Sequence, residues 1–549
     1  MSRSDLPTRL VLHGLVALQT LYCGWFVATQ SATLPLLDEW DQLESYAHST
    51  QEAPATPWIW QHHGDHRYPL TRWLWIESLR ATGFRYYWPQ FLNVAFMAAA
   101  AILSLWTIRI IRGRAHFADA ILPSLLLHFG HGISWVMGYQ LGFAIAIYAQ
   151  VGWLWTAAHL HRGDHRMWFW LNLAYLSPIV PCGGFGVGFT PAIALWLAIL
   201  WRRSGATRLQ RLAVAIFGST TVAYTAWIVG TTPDVPRDFG AAPWREPLRF
   251  STIFAEFLGS ALGVWPAGPH RSEFWLNFTL MILPLAFAVG SVATASAARS
   301  QFFPRAVLAV LLGLFLVAAA TALRRPGAYL DRYAAFGAVG LIALACWWLP
   351  KCTMRESRWS TVIGGSIALA VAVGMFLLNF DAGKYEAFRF RAGDRKLHDD
   401  ILAGLSPEVI AGRHGGLLRV SRGDSFAGQL AVLRDAGIPP FDRVGANWKV
   451  RFVPFEPSPD RRFPTPPANA IGVRCSCTST GPTYGTTIRL LGRIHGREEQ
   501  ELDVACPLYN PGAMHLVWLI PPHASGLVVV PSAPNLAVEL AEFEWIVPE

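Results

Sequence analysis

Residues 304–323 read "PRAVLAVLLGLFLVAAATAL", and the turn that follows, 324–337, reads "RRPGAYLDRYAAFG". The first stretch has one charge, at its start, and is long enough to cross a hydrocarbon core of roughly 30 Å, which takes about 20 apolar residues. The second gathers three arginines where the chain leaves that run. Together they predict a membrane-spanning helix with an unusually cationic exit.

Working outward, apolar runs of similar length recur near 10–30, 88–110, 118–137, 140–160, 167–180, 185–201, 212–230, 274–296, 329–349 and 361–379. Residues of the AVILMFWYC set make up 53% of the chain and charged residues only 15%. That composition overrides the length prior, by which 549 residues would hold several soluble domains. Residues 10–30 lie behind Arg3 and Arg9; the run is long for a signal peptide and no small-x-small cleavage site follows, so it reads as an uncleaved first helix.

The net charge of +9 is scattered through short loops and not gathered in a block, which argues against nucleic acid as a partner. Arg109, Arg112 and Arg114, then Arg162 and Arg166, then Arg202, Arg203, Arg208 and Arg211, then Arg299 and Arg305, and last Lys351, Arg355 and Arg358 fall between runs. Placing them in the cytoplasm satisfies the positive-inside rule at nearly every turn. The expectation is an α-helical polytopic membrane protein. It has about eleven transmembrane helices, the amino terminus cytoplasmic and the carboxyl terminus outside. In the run 118–137, "HFGHGISW" (128–135) is where the helix would break or re-enter.

Residues 1–380 then form a transmembrane domain with outer loops at 31–87 and 231–273. Within the second loop "LRFSTIFAEFLGSALGVW" (248–265) has the spacing of a helix lying along the surface. Residues 381–549 form an extracytoplasmic α+β domain. Helical spacing runs over 395–436, and from about 449 short runs ("KVRFVPF", "TTIRLLGRI", "HLVWLIP", "GLVVVP", "FEWIVPE") broken by Pro and Gly predict a small β-sandwich. Cys475, Cys477 and Cys506 fall in this oxidising compartment, where one disulfide and one left-over thiol are expected.

The polar residues crowd the outer side. Asp38, Glu39 and Asp41 follow the first helix; if that turn is helical, Asp38 and Asp41 share a face. A partly desolvated carboxylate there suits a general base, and a solvated helix end is the plain alternative. In "WIWQHHGDHRYPLTRW" (58–73), His62, His63, Asp65, His66, Arg67 and Arg72 admit three readings. Histidines and a carboxylate at short spacing suit zinc, but the spacing matches no standard ligand pattern, so no metal is favoured. Arg67 and Arg72 would grip an anion bidentately, or the loop is an interfacial belt of Trp and His. Arg324, Arg325 and Arg332 break the positive-inside rule, which calls for an anionic outer partner such as a lipid phosphate, or for local pairing with Asp331. In "SWVMGYQLGF" (134–143), Gln140 is either a pocket contact or a helix–helix hydrogen bond. The glycines of "PCGGFGVGFTP" (181–191) follow no strand and precede no Lys-Ser/Thr, so they form no phosphate loop and read as a hinge or close-packed helix start.

Four of these motifs in order resemble GT-C-type membrane glycosyltransferases, over about the first 380 residues. They are "DEW" (38–40), "GDHRYPLTR" (64–72), which is similar to the "NEHR" block of bacterial members, "MGYQLGF" with "GGFGVGFTPAIAL", and the "R…DRY" turn ending at Tyr333. Gly64-Asp65 stands where Asn-Glu is usual, and "DRY" where "SRY" is commoner. The resemblance implies transfer of a sugar from a polyprenyl-phosphate donor to an extracytoplasmic glycan, lipid or protein, with inversion and no cofactor. Asp38, with Glu39 and Asp41 as its alternates, would be the base. Arg325, Arg332 and Arg67 would stabilise the leaving phosphate, and His66 would orient the base or touch the sugar. A transporter or flippase of lipid-linked sugars, or a non-catalytic scaffold of envelope assembly, are the rival classes; the oligomeric state is not legible.

Overall fold

The computed structural model describes residues 6–51, 57–63, 67–163, 166–203, 206–232, 243–263, 273–299, 301–324, 331–353, 358–391, 394–414, 425–445, 450–458, 462–479, 488–494, 497–505, 513–531 and 538–548. The chain divides into two compact units. One comprises Met1–Ser31, Ile59–Thr82 and Tyr86–Arg389; the other comprises Ala32–Trp58, Gly83–Arg85 and Phe390–Glu549. The 31–87 loop, read from sequence as one segment of the membrane domain, is therefore divided between the two.

The first unit holds α1 (Leu6–Gln30), α3 (Pro69–Ala81), α4 (Trp88–Arg112), α5 (Ile121–Leu126), α6 (Gly132–Val136), α7 (Leu141–His161), α8 (Arg166–Leu176), α9 (Gly184–Trp201), α10 (Arg208–Thr231), α11 (Pro247–Gly259), α12 (Glu273–Ala298), α13 (Phe302–Arg324), α14 (Asp331–Thr353) and most of α15 (Arg358–Arg391). Among the described residues nine helices are long and apolar enough to cross a membrane: α1, α4, α7, α9, α10, α12, α13, α14 and α15. Two predicted spans need correction. Residues 118–137 are not one helix but α5 and α6 joined by a 3-10 turn at Phe129–His131, and the 167–180 span is the 11-residue α8.

The break has a local cause. The His128 ring accepts from the Gly130 N–H, capping the turn, and Gly130 and Gly132 follow where a helix would need side-chain support. Carbonyls released from helical pairing find other donors, as a water-poor interior requires. The Asn93 amide donates to Ser134 and Met137, the Gln90 amide to Val136, and the Trp135 indole to His128. At the other end, Arg112 Nη1 donates to both oxygens of Asp119 at 2.7 and 2.8 Å. The broken path therefore runs back along the whole length of α4, between its two ends. A second polar knot ties α7, α8 and α9: Asn172 donates to Thr156 and accepts from the Trp196 indole. Close approach is paid for with glycine at Gly142, where a Cβ would overlap Thr71 and the Cys182 carbonyl.

The helix expected within residues 248–265 is α11, which buries Ile253, Phe257 and Leu258 and leaves Leu248 exposed.

Among the described residues the second unit contains α2 (Asp38–Gln51), α16 (Asp394–Leu402), α17 (Pro407–His414), α18 (Ser425–Asp435) and seven strands. β1 (Val450–Pro454), β7 (Val538–Pro548), β2 (Gly472–Ser479) and β5 (Ala513–Leu519) form one antiparallel sheet in that order. β4 (Gln500–Ala505), β3 (Ile488–Ile494) and β6 (Ala524–Pro531) form the other. The sandwich predicted from about 449 is present, with two strands, β2 and β4, that the alternation did not single out. Trp518, Trp545, Phe463 and Phe543 fill its core, and the Trp518 indole donates to the Ile488 carbonyl across the two sheets at 2.9 Å. Cys475 is buried in this core; Cys506 and the side chain of Cys477 lie outside the described residues.

Candidate functional site

The acidic motif opens a helix, the condition under which Asp38 and Asp41 share a face. Trp40, Leu43 and Ala47 fall on one face of α2 and are fully buried, with Trp40 edge-on to Phe426 and tilted against Phe441. That packing fixes where the three carboxylates go. Glu39 is 1% exposed and its Oε2 accepts from the Leu36 N–H at 2.8 Å, a bond back onto the backbone just before the helix. Asp41 accepts from the Gln429 amide at 3.3 Å, a donor it shares with Glu44. Asp38 is the exposed member of the three. Of the predicted bases, Glu39 is thus bonded to the backbone just before the helix, and Asp38 is the carboxylate that an incoming molecule reaches most readily.

The basic motif folds in the first unit. A 3-10 turn at Trp58–Trp60 leads through Gln61, His62 and His63, and Pro69 starts α3. Arg67, 9% exposed, donates to the Trp60 carbonyl, to His62 Nε2 at 2.6 Å and to Thr231 Oγ1 at 3.3 Å. Its guanidinium lies 4.4 Å over the Trp227 ring. Since the arginine can only donate, His62 Nε2 is an acceptor and the ring is neutral. Burial, then the charge of Arg67, holds His62 below its ordinary pKa. Arg67 Nε has no partner among the described residues, and none of them offers this guanidinium a carboxylate. Arg72, 1% exposed, donates to the carbonyls of Gln61 at 2.6 Å and His62 at 3.3 Å, so it braces the same loop from below.

His63 packs beside Tyr68 and Tyr139, and Tyr139 beside Trp75. Tyr68 also sits where a Cβ on Gly183 would fall; Gly183, at φ +139°, caps the start of α9. The glycine cluster is thus a close-packed helix start beneath this aromatic wall. Gln140 is buried and donates to Met137 Sδ at 3.4 Å, while its Oε1 has no partner among the described residues.

The structure therefore gathers His62, His63, Arg67 and Arg72, with Tyr139 beside Gln140. Tyr333 is buried against Phe257 of α11, and Arg324 is half-buried in the last turn of α13. Asp65, His66 and Arg325, and the side chain of Arg332, lie outside the described residues. Sequence reading missed Trp227, Thr231 and Tyr68. The first two lie at the end of a predicted span, and the signal available was an aromatic residue near the end of an apolar run.

No protein-family model matches the chain, and no curated protein matches it. Among solved structures it is similar to the Archaeoglobus fulgidus oligosaccharyltransferase in its apo form, with a TM-score of 0.40 and 13% identity over 71% of this chain and 57% of that one. It is also similar to arabinosyltransferase EmbB from Mycobacterium smegmatis, with a TM-score of 0.36 and 11% identity over 97% of this chain and 64% of that one. The chain spans about three fifths of the length of each of these two.

Proposed function

We propose that this chain is a membrane glycosyltransferase that moves a sugar from a polyprenyl-phosphate donor to an acceptor outside the cytoplasm. The observation that carries the reading is Arg67. A buried guanidinium held by a carbonyl, a neutral imidazole and a hydroxyl, with no carboxylate among the described residues, is a desolvated cation that an anion would complete. A lipid phosphate at the outer interface is the anion suited to that place.

In this reading a carboxylate of the 38–41 motif, Asp38 first, takes the proton from the acceptor hydroxyl, the role that the resemblance implies for it. The acceptor oxygen bonds to the anomeric carbon as the bond from that carbon to the phosphate oxygen breaks, with inversion. The electron pair leaves on the polyprenyl phosphate, whose charge Arg67, Arg325 and Arg332 offset. Arg72 acts through the loop it braces and is a positioning residue. The motifs at 38–40, 64–72, 137–143, 183–195 and 331–333 support the same assignment by their resemblance to GT-C enzymes.

A flippase of lipid-linked sugars is the second reading. It is favoured by His128 and His131, which are fully buried with ring centroids 4.2 Å apart inside the broken segment of the first unit. The deciding experiment reconstitutes the chain in vesicles with radiolabelled polyprenyl-phosphate sugars and an envelope extract as acceptor. Label transferred to the extract, and lost in Asp38→Asn, upholds the transferase. Donor moved across the bilayer with its sugar bond intact assigns the flippase instead.

A further inference from the structure

Two cavities open at the arginine-rich ends of the helices in the first unit, one on each side of the turn from α7 into α8. The larger, ≈ 550 Å³, is lined by Arg202, Arg203, Arg305, His161, Ile199 and Phe302 among others. The smaller, ≈ 370 Å³, has Arg109, Arg162, His159 and two tryptophans in its wall. No acidic side chain is among the described residues that line either one. Residues 141–161 of α7 separate this end from Thr71 and the Arg67 group, about 30 Å at 1.5 Å per residue.

Scattered loop arginines satisfy the positive-inside rule without converging, but those of the larger cavity converge and are held. Arg203 donates to the Leu160 carbonyl at 2.7 Å and lies 4.9 Å over the Phe302 ring. Arg305 donates through Nε to the Ala298 carbonyl at 2.7 Å and through Nη2 to that of Arg299 at 3.1 Å. Arg202, the C-cap of the helix that carries Ile199, is exposed at the rim. Both held guanidinium groups are already ordered, so binding an anion there costs little side-chain entropy. Beside the rim, Leu195 and Trp201 expose apolar surface along α9, at 47% and 45%. A cationic recess with an apolar flank at a helix end is the form in which membrane proteins hold phosphate-bearing headgroups.

We infer that this cavity binds a phosphate group, carried by an anionic membrane lipid whose acyl chains lie along the exposed side of α9. The test uses the purified full chain in detergent with phosphatidylglycerol or phosphatidylcholine added, counting retained lipids by native mass spectrometry. Titration with inorganic phosphate forms a parallel arm. The wild type is expected to retain phosphatidylglycerol over phosphatidylcholine. Arg202→Gln should weaken phosphatidylglycerol retention about fivefold, and Arg202→Gln with Arg305→Gln about 25-fold, with phosphatidylcholine retention unchanged. Arg202 is exposed, so its single variant keeps the test alive if loss of the Arg305 hydrogen bonds unfolds the double variant. Inorganic phosphate bound in an Arg202-dependent way, with no preference between the two lipids, upholds the phosphate site and assigns it a soluble ligand. Equal phosphatidylglycerol retention by wild type and Arg202→Gln, with no arginine-dependent phosphate binding, overturns the inference.

Discussion

Arg67 and Arg413 are both buried, one in each compact unit, and they are satisfied in opposite ways. Arg413 donates to Asp400 at 2.6 Å and to Asp503, while His414 donates to the same Asp400 oxygen at 2.7 Å. Asp503 in turn accepts from the Leu519 N–H, so the network pins α17 against β4 and β5. Arg67 has only neutral acceptors and an aromatic face among the described residues. A cation neutralised by carboxylates of its own unit holds a fold together; one held by dipoles keeps its charge for something else. Among the carboxylates of α2, Glu39 is buried and bonded to the Leu36 N–H, while Asp38 is exposed.

The sharpest test of this division is Asp38→Asn, expected to slow sugar transfer by about 10²- to 10⁴-fold with the melting temperature unchanged. Full activity would move the base to Asp41. Arg413→Ala should show the reverse pattern, costing about 3–5 kcal/mol of stability in the second unit because it strands buried carboxylates. Denaturant unfolding of the purified chain, followed through tryptophans of the sandwich, reads it. A cost below 1 kcal/mol would break the contrast with Arg67. For Arg67→Gln the expected loss is about 10- to 100-fold in affinity for polyprenyl phosphate, the worth of a charged hydrogen bond, with the unfolding profile intact.

Acid provides a milder probe of the same network. Burial holds His414 below its ordinary value of 6.5, against the pull of Asp400. Burial alone would raise Asp400, but the His414 hydrogen bond and the Arg413 charge hold it below its ordinary 3.8. Both folded values lie under the unfolded ones, so the unfolded chain binds more protons. The stability they contribute is complete above pH about 6.5 and declines as the pH falls below it, first through His414 and then through Asp400. Melting of the second unit measured between pH 7 and 4 should show that slope, and His414→Gln should flatten its upper part. The smallest effect is expected at Glu39, where Glu39→Ala costs about 1 kcal/mol and Glu39→Gln less, with transfer activity retained in both.

How much of this was legible follows from the range of the interactions involved. Among the described residues, the nine long helices, the helix α11 and five of the seven strands are written in local periodicity or in the sheer length of an apolar run. The division of residues 31–87 was not legible, because α2 is claimed by Phe426 and Phe441, 386 and 401 residues beyond Trp40. The break in 118–137 was legible at 128–135, but not what sustains it, because its carbonyls are satisfied from Gln90 and Asn93 on the preceding helix.

The amino-acid sequence by itself determined that the chain spans a membrane many times, where its arginines interrupt that pattern, and that a β-rich unit follows. Each depends on runs of a few to about 20 neighbours read against the bilayer or the pleat. Only the tertiary structure decided which polar residues are spent and which are kept. Whether a buried arginine meets a carboxylate or a tryptophan face depends on what another helix brings to it. For Arg67 that helix is α10, whose Trp227 and Thr231 lie some 160 residues along the chain.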